Sequence, residues 1–221
     1  MQKFDTSAPV TAVLDVPAGR VRLIAADRVD TTVEVLPADA ASGRDAKAAE
    51  QTTVEYADGL LRIQGPVAHR SLGSSGSVEV TVQLPAGSRV QAKAASTEFR
   101  AVGRLGDVSL DSSQATVKVD EAASARLTTS AGDVTVGRLG GPAQIRTGQG
   151  NIRIDQAEHG VLELRTEAGA ITVGAAAGVS AALDAGTTHG RIHNSLKNTD
   201  GTPDLTIHAT TARGDITARS L

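Results

Sequence analysis

The stretch TSAGDVTVGRLGGPAQIRTGQGNIRI, residues 129–154, contains one short pattern twice. A threonine is followed three residues later by a glycine, then by an acidic or amide residue, and then by alternating apolar and polar residues. The pattern begins at Thr129 and again at Thr147, eighteen residues later. Two such segments are either glycine-rich ligand loops or successive units of a repeating fold.

The Thr-x-x-Gly pattern recurs throughout the C-terminal part of the chain. Degenerate copies begin at Ala94 and Ser112, and consecutive copies are 17 to 24 residues apart. Self-similarity at about twenty residues is typical of a solenoid, in which each repeat buries its apolar face against its neighbours. The five clear copies are Thr129/Gly132, Thr147/Gly150, Thr166/Gly169, Thr187/Gly190 and Thr211/Gly214.

The residues that flank each threonine keep the same register. Positions two and four before it, and five and seven after it, are almost all apolar, and the residues between them are mostly polar. This alternation predicts two half-buried strands joined by a tight corner. Glycine suits a corner that needs positive φ or close backbone approach, and stacked threonine hydroxyls can bind backbone groups there. We therefore predict an all-β parallel β-helix, or β-solenoid, of about seven regular rungs.

Residues 1–84 lack the regular repeat but contain several alternating apolar segments. We predict one continuous domain, in which region 1–84 forms irregular β rungs that cover the first edge of the regular repeats at 85–221. The Ala-rich, charged segment 38–51 is either a short surface helix or a mobile excursion. The Gly/Ser-rich segment 65–77 predicts a loop.

Composition excludes several classes of function. The chain has 221 residues, 22 basic and 25 acidic, and three aromatic side chains, so it offers no basic surface and few rings for nucleic acid. It has no cysteine, which excludes disulfides and thiolate metal sites. No apolar run reaches the length of a membrane span, and the N-terminus lacks the apolar core of a signal peptide. These features predict a cytoplasmic protein.

The chain resembles a bacterial family of putative adhesins, the domain of unknown function 4097. The resemblance rests on VPAGRVRL at 16–23, VTVQLPAGSRV at 80–90, and the serial SAGDVTV, GQGNIRI, EAGAITV and ARGDITA segments, and covers nearly the whole chain. It implies a right-handed, single-chain β-helix without established catalytic residues, and the adhesin designation implies surface exposure.

The corners themselves offer little chemistry. They precede strands and lack the lysine of a nucleotide-binding loop, which favours a structural role. Asp133, Asn151 and Asp215 follow corner glycines and could form a column of calcium ligands. However, Ala170 and Arg191 interrupt that column, so we predict no metal there.

Two further groups of side chains are candidates for chemistry. Glu163 and Asp184 share an outward column on successive repeats, so they could lie one strand spacing apart as a glycosidase pair, although Arg146 and Arg165 would neutralise them. His193 and His208 both point outward near the C-terminus and are candidate ligands for a transition metal. No catalytic residue and no cofactor are predicted from either group.

The C-terminal repeat has no evident cap after Ile216, Ala218 and Leu221. A bare final rung exposes backbone groups and apolar side chains. Either segment 195–203 covers it, or a partner or a second copy of the chain does. We predict a non-enzymatic scaffold that binds a protein or glycan through its polar faces or this open end. The alternatives are a carbohydrate-binding or carbohydrate-active protein and a self-assembling filament.

Overall fold

The computed structural model describes residues 1–66, 76–199 and 201–221, so the predicted loop at 65–77 lies largely outside the described residues. This part of the chain forms seventeen strands and one helix. The strands are β1 Gln2–Asp5, β2 Thr11–Asp15, β3 Ala18–Ala26, β4 Asp30–Pro37, β5 Thr53–Ala57, β6 Leu60–Gln64, β7 Val78–Pro85, β8 Arg89–Ala131, β9 Val134–Leu139, β10 Ala143–Gln149, β11 Ile152–Ala157, β12 Gly160–Ala168, β13 Ile171–Ala175, β14 Ala181–His189, β15 Ile192–Ser195, β16 Leu205–Arg213 and β17 Ile216–Ser220; the helix is α1 Gly43–Gln51.

The chain divides into two compact units, Met1–Ala115 and Thr116–Leu221. This division differs from the predicted boundary between irregular and regular rungs at 84/85. The difference arises because residues 89–102 of β8 pair directly with β2 and β3 and so belong to the first unit.

The first unit contains two parallel ladders. In one ladder β2 lies between β6 and residues 89–93 of β8, and in the other β3 lies between β7 and residues 96–102. The outer strands run antiparallel: β5 pairs with β6, β4 pairs with β7, and β1 pairs with β4. The antiparallel strands therefore cover the outer edges of the parallel strands β6 and β7. The largest side chains buried between the ladders are Leu14, Leu23, Leu61, Ile63, Leu84 and Phe99.

A short helix and an ion-pair cluster complete the first unit. Ser42 caps α1 by accepting the Asp45 N–H, and Ala48 is the buried residue of the helix. The Asp30 carboxylate binds the Arg28 guanidinium at 2.7 Å and the Lys3 ammonium at 3.1 Å, which joins β1 to β4. Hydrogen bonds from these two cations, Arg28 first, lower the pKa of Asp30 to about 2. Because the folded pKa is depressed, this contribution to stability is present near neutral pH and is lost only as the pH falls toward 2.

The second unit also contains two parallel ladders, which we call the first ladder and the second ladder. The first ladder runs β8 (residues 125–131), β10, β12, β16, β14. The second ladder runs β8 (residues 117–122), β9, β11, β13, β17, β15. Along β10, Ala143 and Ile145 are buried, whereas Gln144 and Arg146 face outward. The predicted all-β solenoid with stacked parallel rungs is confirmed.

Each coil of the solenoid contributes one strand to each ladder. The order of the last two coils along the ladders differs from the prediction. The C-terminal coil, β16 and β17, is inserted between β12–β13 and β14–β15, so Ile216 and Ala218 are buried to 1% and 0% exposure. The placement of these two residues at an open end was therefore wrong. Leu221 is 51% exposed, but its N–H donates to Ala175 O at 3.0 Å, beside β13 and not at an end.

The composition of the two coils explains this order. A coil in the middle of a stack is covered on both sides, whereas a terminal coil is covered on one. The inserted coil has only apolar residues at its inward positions, and the terminal coil has polar Asn194 where the inserted coil has Ala218. Exposure to solvent costs less free energy for the coil with the polar inward residue, and this coil, β14 and β15, lies at the end.

The corner threonines align the coils with one another. Four of them are consecutive register partners, and each hydroxyl donates to the carbonyl of a corner glycine in the neighbouring coil, at 2.9–3.2 Å. The pairs are Thr147 with Gly132, Thr166 with Gly150, Thr211 with Gly169, and Thr187 with Gly214. Thr129 differs, because its hydroxyl donates to Ala131 O of its own corner at 2.9 Å.

The corner glycines divide into two groups by backbone conformation. Gly132, Gly150 and Gly214 have φ of 125°, 144° and 143°, which residues with side chains rarely adopt. Gly169 and Gly190 are not among the positive-φ glycines, so the two predicted reasons for glycine apply at different corners. Close approach explains these two instead, because an added Cβ would lie 1.9 Å from Gly150 O at Gly169 and 2.0 Å from Gly214 O at Gly190.

The contact between Thr166 and Gly150 can be tested by Thr166→Val, which keeps the branched shape but removes the hydroxyl donor. We expect the free energy of unfolding, measured by urea denaturation, to fall by about 1 kcal/mol. Thr172→Val is the matched control, because Thr172 lies half-buried on the outer face of the same unit, and we expect a change within about 0.5 kcal/mol. Equal stability of the two variants would show that the hydroxyl does not hold the corner.

Candidate functional site

The acidic and amide residues after the corner glycines bind backbone groups of the next coil. Asp133 Oδ1 accepts the Asn151 N–H at 2.7 Å, and Asn151 Oδ1 accepts the Ala170 N–H at 2.8 Å. Asp215 Oδ1 likewise accepts the Arg191 N–H at 2.8 Å, and this bond is the main reason that the pKa of Asp215 is lowered. The carboxylate and amide oxygens of this column therefore continue the strand pairing across each corner instead of converging on a common point.

The expected neighbouring pair of Glu163 and Asp184 does not form. Because the C-terminal coil is inserted, His208 lies between them in register, and the two acids are two strand spacings apart. His208 Nδ1 lies 3.3 Å from Asp184 Oδ2. Glu163 instead accepts a hydrogen bond from Gln144 at 2.8 Å and lies 3.8 Å from the Arg146 guanidinium, a long surface contact, so of the two arginines predicted to neutralise the acids Arg146 alone lies near one.

The two candidate histidine ligands lie in different ladders. His208 is on β16 in the first ladder, and His193 is on β15 in the second, opposite Thr217. Across residues 1–66, 76–199 and 201–221, no three His, Asp or Glu side chains are grouped as a metal site would require.

The outer face of the first ladder carries a shallow depression of about 480 Å³. Gly148 is part of its lining, and an added Cβ there would lie 2.5 Å from Ser130 O, so the position cannot carry a side chain without displacing the neighbouring strand. The depression is lined by Thr129, Ser130, Arg146, Thr147, Gly148, Gln149, Arg165 and Glu167.

Two arginines dominate the charge of this depression. Arg146 and Arg165 are register partners on β10 and β12, so their Cα atoms are one strand spacing, about 4.8 Å, apart. Both side chains are exposed. Arg146 is held loosely by Glu163, and Arg165 forms no ion pair with any residue that the structure describes. The depression therefore presents two neighbouring guanidinium groups to solvent, with Glu167 as the acidic residue of its lining.

From the sequence, these arginines were predicted only as partners for Glu163 and Asp184. The available signal was their position, since each directly precedes a corner threonine, Thr147 or Thr166. The depression was missed because it depends on Gly148, whose lack of a side chain matters only when the flanking strands are in place.

Comparisons with known proteins concern the fold. The model of the family described as Toastrack DUF4097 matches residues 13–219. A "putative adhesin" structure from Bacteroides fragilis is 12% identical with a TM-score of 0.58, and the match covers 98% of this chain and 95% of that one. A "putative lipid binding protein" from Parabacteroides distasonis is 12% identical with a TM-score of 0.46, over 98% and 95% of the two chains. No curated protein matches the sequence.

The helix of the described residues is too short and too polar to cross a membrane.

The structural role of the Asp133–Asn151 column can be separated from metal binding by Asn151→Ala. This variant removes the acceptor of the Ala170 N–H, and we expect the free energy of unfolding to fall by about 1–2 kcal/mol. Asn151→Asp, which keeps an oxygen at this position, should recover part of the loss. Thermal unfolding of the unmodified chain should be the same with calcium chloride or a chelator. A calcium-dependent rise in Tm that Asn151→Ala abolishes would instead identify a metal site.

Proposed function

The chain belongs to the Toastrack DUF4097 family, and we propose that it is a non-enzymatic β-solenoid protein that binds an anionic group of its partner on the outer face of the first ladder. The observation that carries this proposal is the adjacent pair of exposed arginines, Arg146 and Arg165, above the depression at Gly148.

The chemistry of the pair favours a carboxylate, sulfate or phosphate. Each guanidinium offers a planar fork of N–H donors that matches the oxygens of such groups, and two forks one strand spacing apart can bind one anion together or two successive anions. A hydrogen bond to a charged group contributes about 1.5–3 kcal/mol, so two of them give a dissociation constant of about millimolar for one anionic group. A ligand that carries two anionic groups at a matching spacing gains affinity because both guanidinium groups are then engaged at once.

The same surface argues against a neutral sugar as the main ligand. Sugar rings are commonly bound by stacking on aromatic side chains, and the chain has three of these. Phe99 is 1% exposed, and Phe4 and Tyr56 pack against each other in the first unit in a tilted arrangement with ring centroids 5.2 Å apart. The lining of the depression includes no aromatic residue. Among glycans, an acidic one therefore suits the depression best.

The contacts and the pKa shifts of the acidic side chains support binding without catalysis. Glu163 is engaged by Gln144 and Arg146, and Asp184 by His208. The resolved shifts of carboxyl pKa, at Asp30 and Asp215, are downward. A general acid needs the opposite shift, which burial in an apolar pocket would supply.

The proposal is tested by calorimetric titration of the full chain with a sulfated oligosaccharide, a uronic-acid oligosaccharide and a neutral oligosaccharide of equal length. Binding of the anionic ligands should weaken as salt is raised, and Arg165→Gln should weaken it about tenfold. Arg126→Gln is the matched control, because Arg126 is an exposed arginine of the first ladder outside the lining of the depression. It should change affinity less than about twofold.

Three results would contradict the proposal: equal affinity for the neutral ligand, equal losses in the two variants, or no binding to either anionic ligand. Release of reducing sugar from any of the three ligands would contradict the non-enzymatic part.

A further inference from the structure

The coil formed by β14 and β15 is covered on one side only. Among the described residues, β14 pairs with β16 alone and β15 pairs with β17 alone. As a result Ile192 is 45% exposed and Leu183 is half-buried, whereas their register partners Ile216 and Ile207 are 1% and 0% exposed. The interior of the second unit therefore reaches solvent at this coil.

The exposed edges of β14 and β15 carry few of the features that prevent edge strands of different molecules from pairing. Solvent-facing edge strands in stable monomers usually carry lysine, proline or a bulge. Neither β14 nor β15 contains lysine or proline. The acidic residue on β14, Asp184, is paired with His208. In the described part of the 195–203 segment, Lys197 O accepts the Ala181 N–H at the start of β14 at 2.9 Å, and the Lys197 N–H donates to Ser220 Oγ on β17 at 2.9 Å.

The outer edge of the first unit offers a contrast within the same chain. There the antiparallel strands β4 and β5 cover the outermost parallel strands, and β1 adds a further antiparallel strand. No antiparallel strand covers β14 or β15 among the described residues. An antiparallel strand on each of these edges would complete the second unit in the same manner.

We propose that the occupant of this end is the same end of a second copy of the chain, related by a two-fold axis. The end presents two strand edges at once, one in each ladder, so a single extended peptide would satisfy only one of them. A second copy presents both edges at the same spacing, and the two-fold rotation makes β14 antiparallel to β14 and β15 antiparallel to β15 of the partner.

The area of the end suits a weak, reversible dimer. The nine residues of β14 extend about 30 Å and the four residues of β15 about 13 Å, and each edge with its side chains is about 10 Å wide. The contact is therefore about 430 Å² for each copy and about 860 Å² in total, in the range of weak or transient interfaces. Because this interface uses one surface of each copy, it closes at the dimer and does not propagate into a filament.

The test is sedimentation of the full chain across a wide concentration range. We expect a reversible monomer–dimer equilibrium, and Ile192→Lys should raise its dissociation constant at least about tenfold, because each copy would then bring an unpaired ammonium into the contact. Val161→Lys is the matched control: Val161 has the same 45% exposure as Ile192 but lies on β12, away from the end, and should leave the equilibrium unchanged.

Hydrogen exchange of the unmodified chain gives an independent readout that does not depend on a variant. Alternate amides of β14 and β15 face the open edges, and these should exchange more slowly at concentrations where the dimer forms. A monomer at every concentration, a dimer that survives Ile192→Lys, equal weakening by Val161→Lys, or an open-ended polymer would each overturn the proposal.

Discussion

The second unit depends on one contact repeated from coil to coil, in which a corner threonine hydroxyl donates to a glycine carbonyl of the neighbouring coil. A Cβ at the glycine position would occupy the place of the adjacent carbonyl, so Gly169 and Gly190 allow the coils to approach. The contact fixes register, because a slip of one residue along a strand would turn every inward side chain outward. The inward rows of valine, isoleucine, leucine and alanine, and the outward polar rows, follow from that register.

The same contact explains how much of the fold the sequence predicts. The corner residues and the alternation around them are local features, and they predicted the strands, their parallel stacking and their inward positions. The order of the coils is not local. Thr187 and Thr211 stand in equivalent registers, so either could follow Thr166. The difference in polarity between the inward residues of the two coils is Asn194 against Ala218. Once that order was misassigned, the expected adjacency of Glu163 and Asp184 and the expected open end at Ile216 were wrong as well.

The candidate binding surface shows why the site is harder to predict than the fold. Inward positions are constrained by packing, whereas outward positions such as Arg146 and Arg165 can change at little cost in stability. The depression combines these two arginines with Gly148. A side chain is excluded at Gly148 because its Cβ would clash with the backbone of the neighbouring strand. Architecture and ligand are therefore specified by different rows of the same repeat, which is why a shared fold does not imply a shared ligand.

The most direct test of this account is a methyl-to-methyl NOE experiment on the corner threonines of the full chain. The inserted order predicts contacts from the Thr211 methyl to both Thr166 and Thr187, and none between Thr166 and Thr187, which are two strand spacings, about 9.6 Å, apart. A Thr166–Thr187 contact, with Thr211 adjacent to Thr187 alone, would mean that the coils stack in chain order, and it would contradict both the structure of this end and the interface inferred from it.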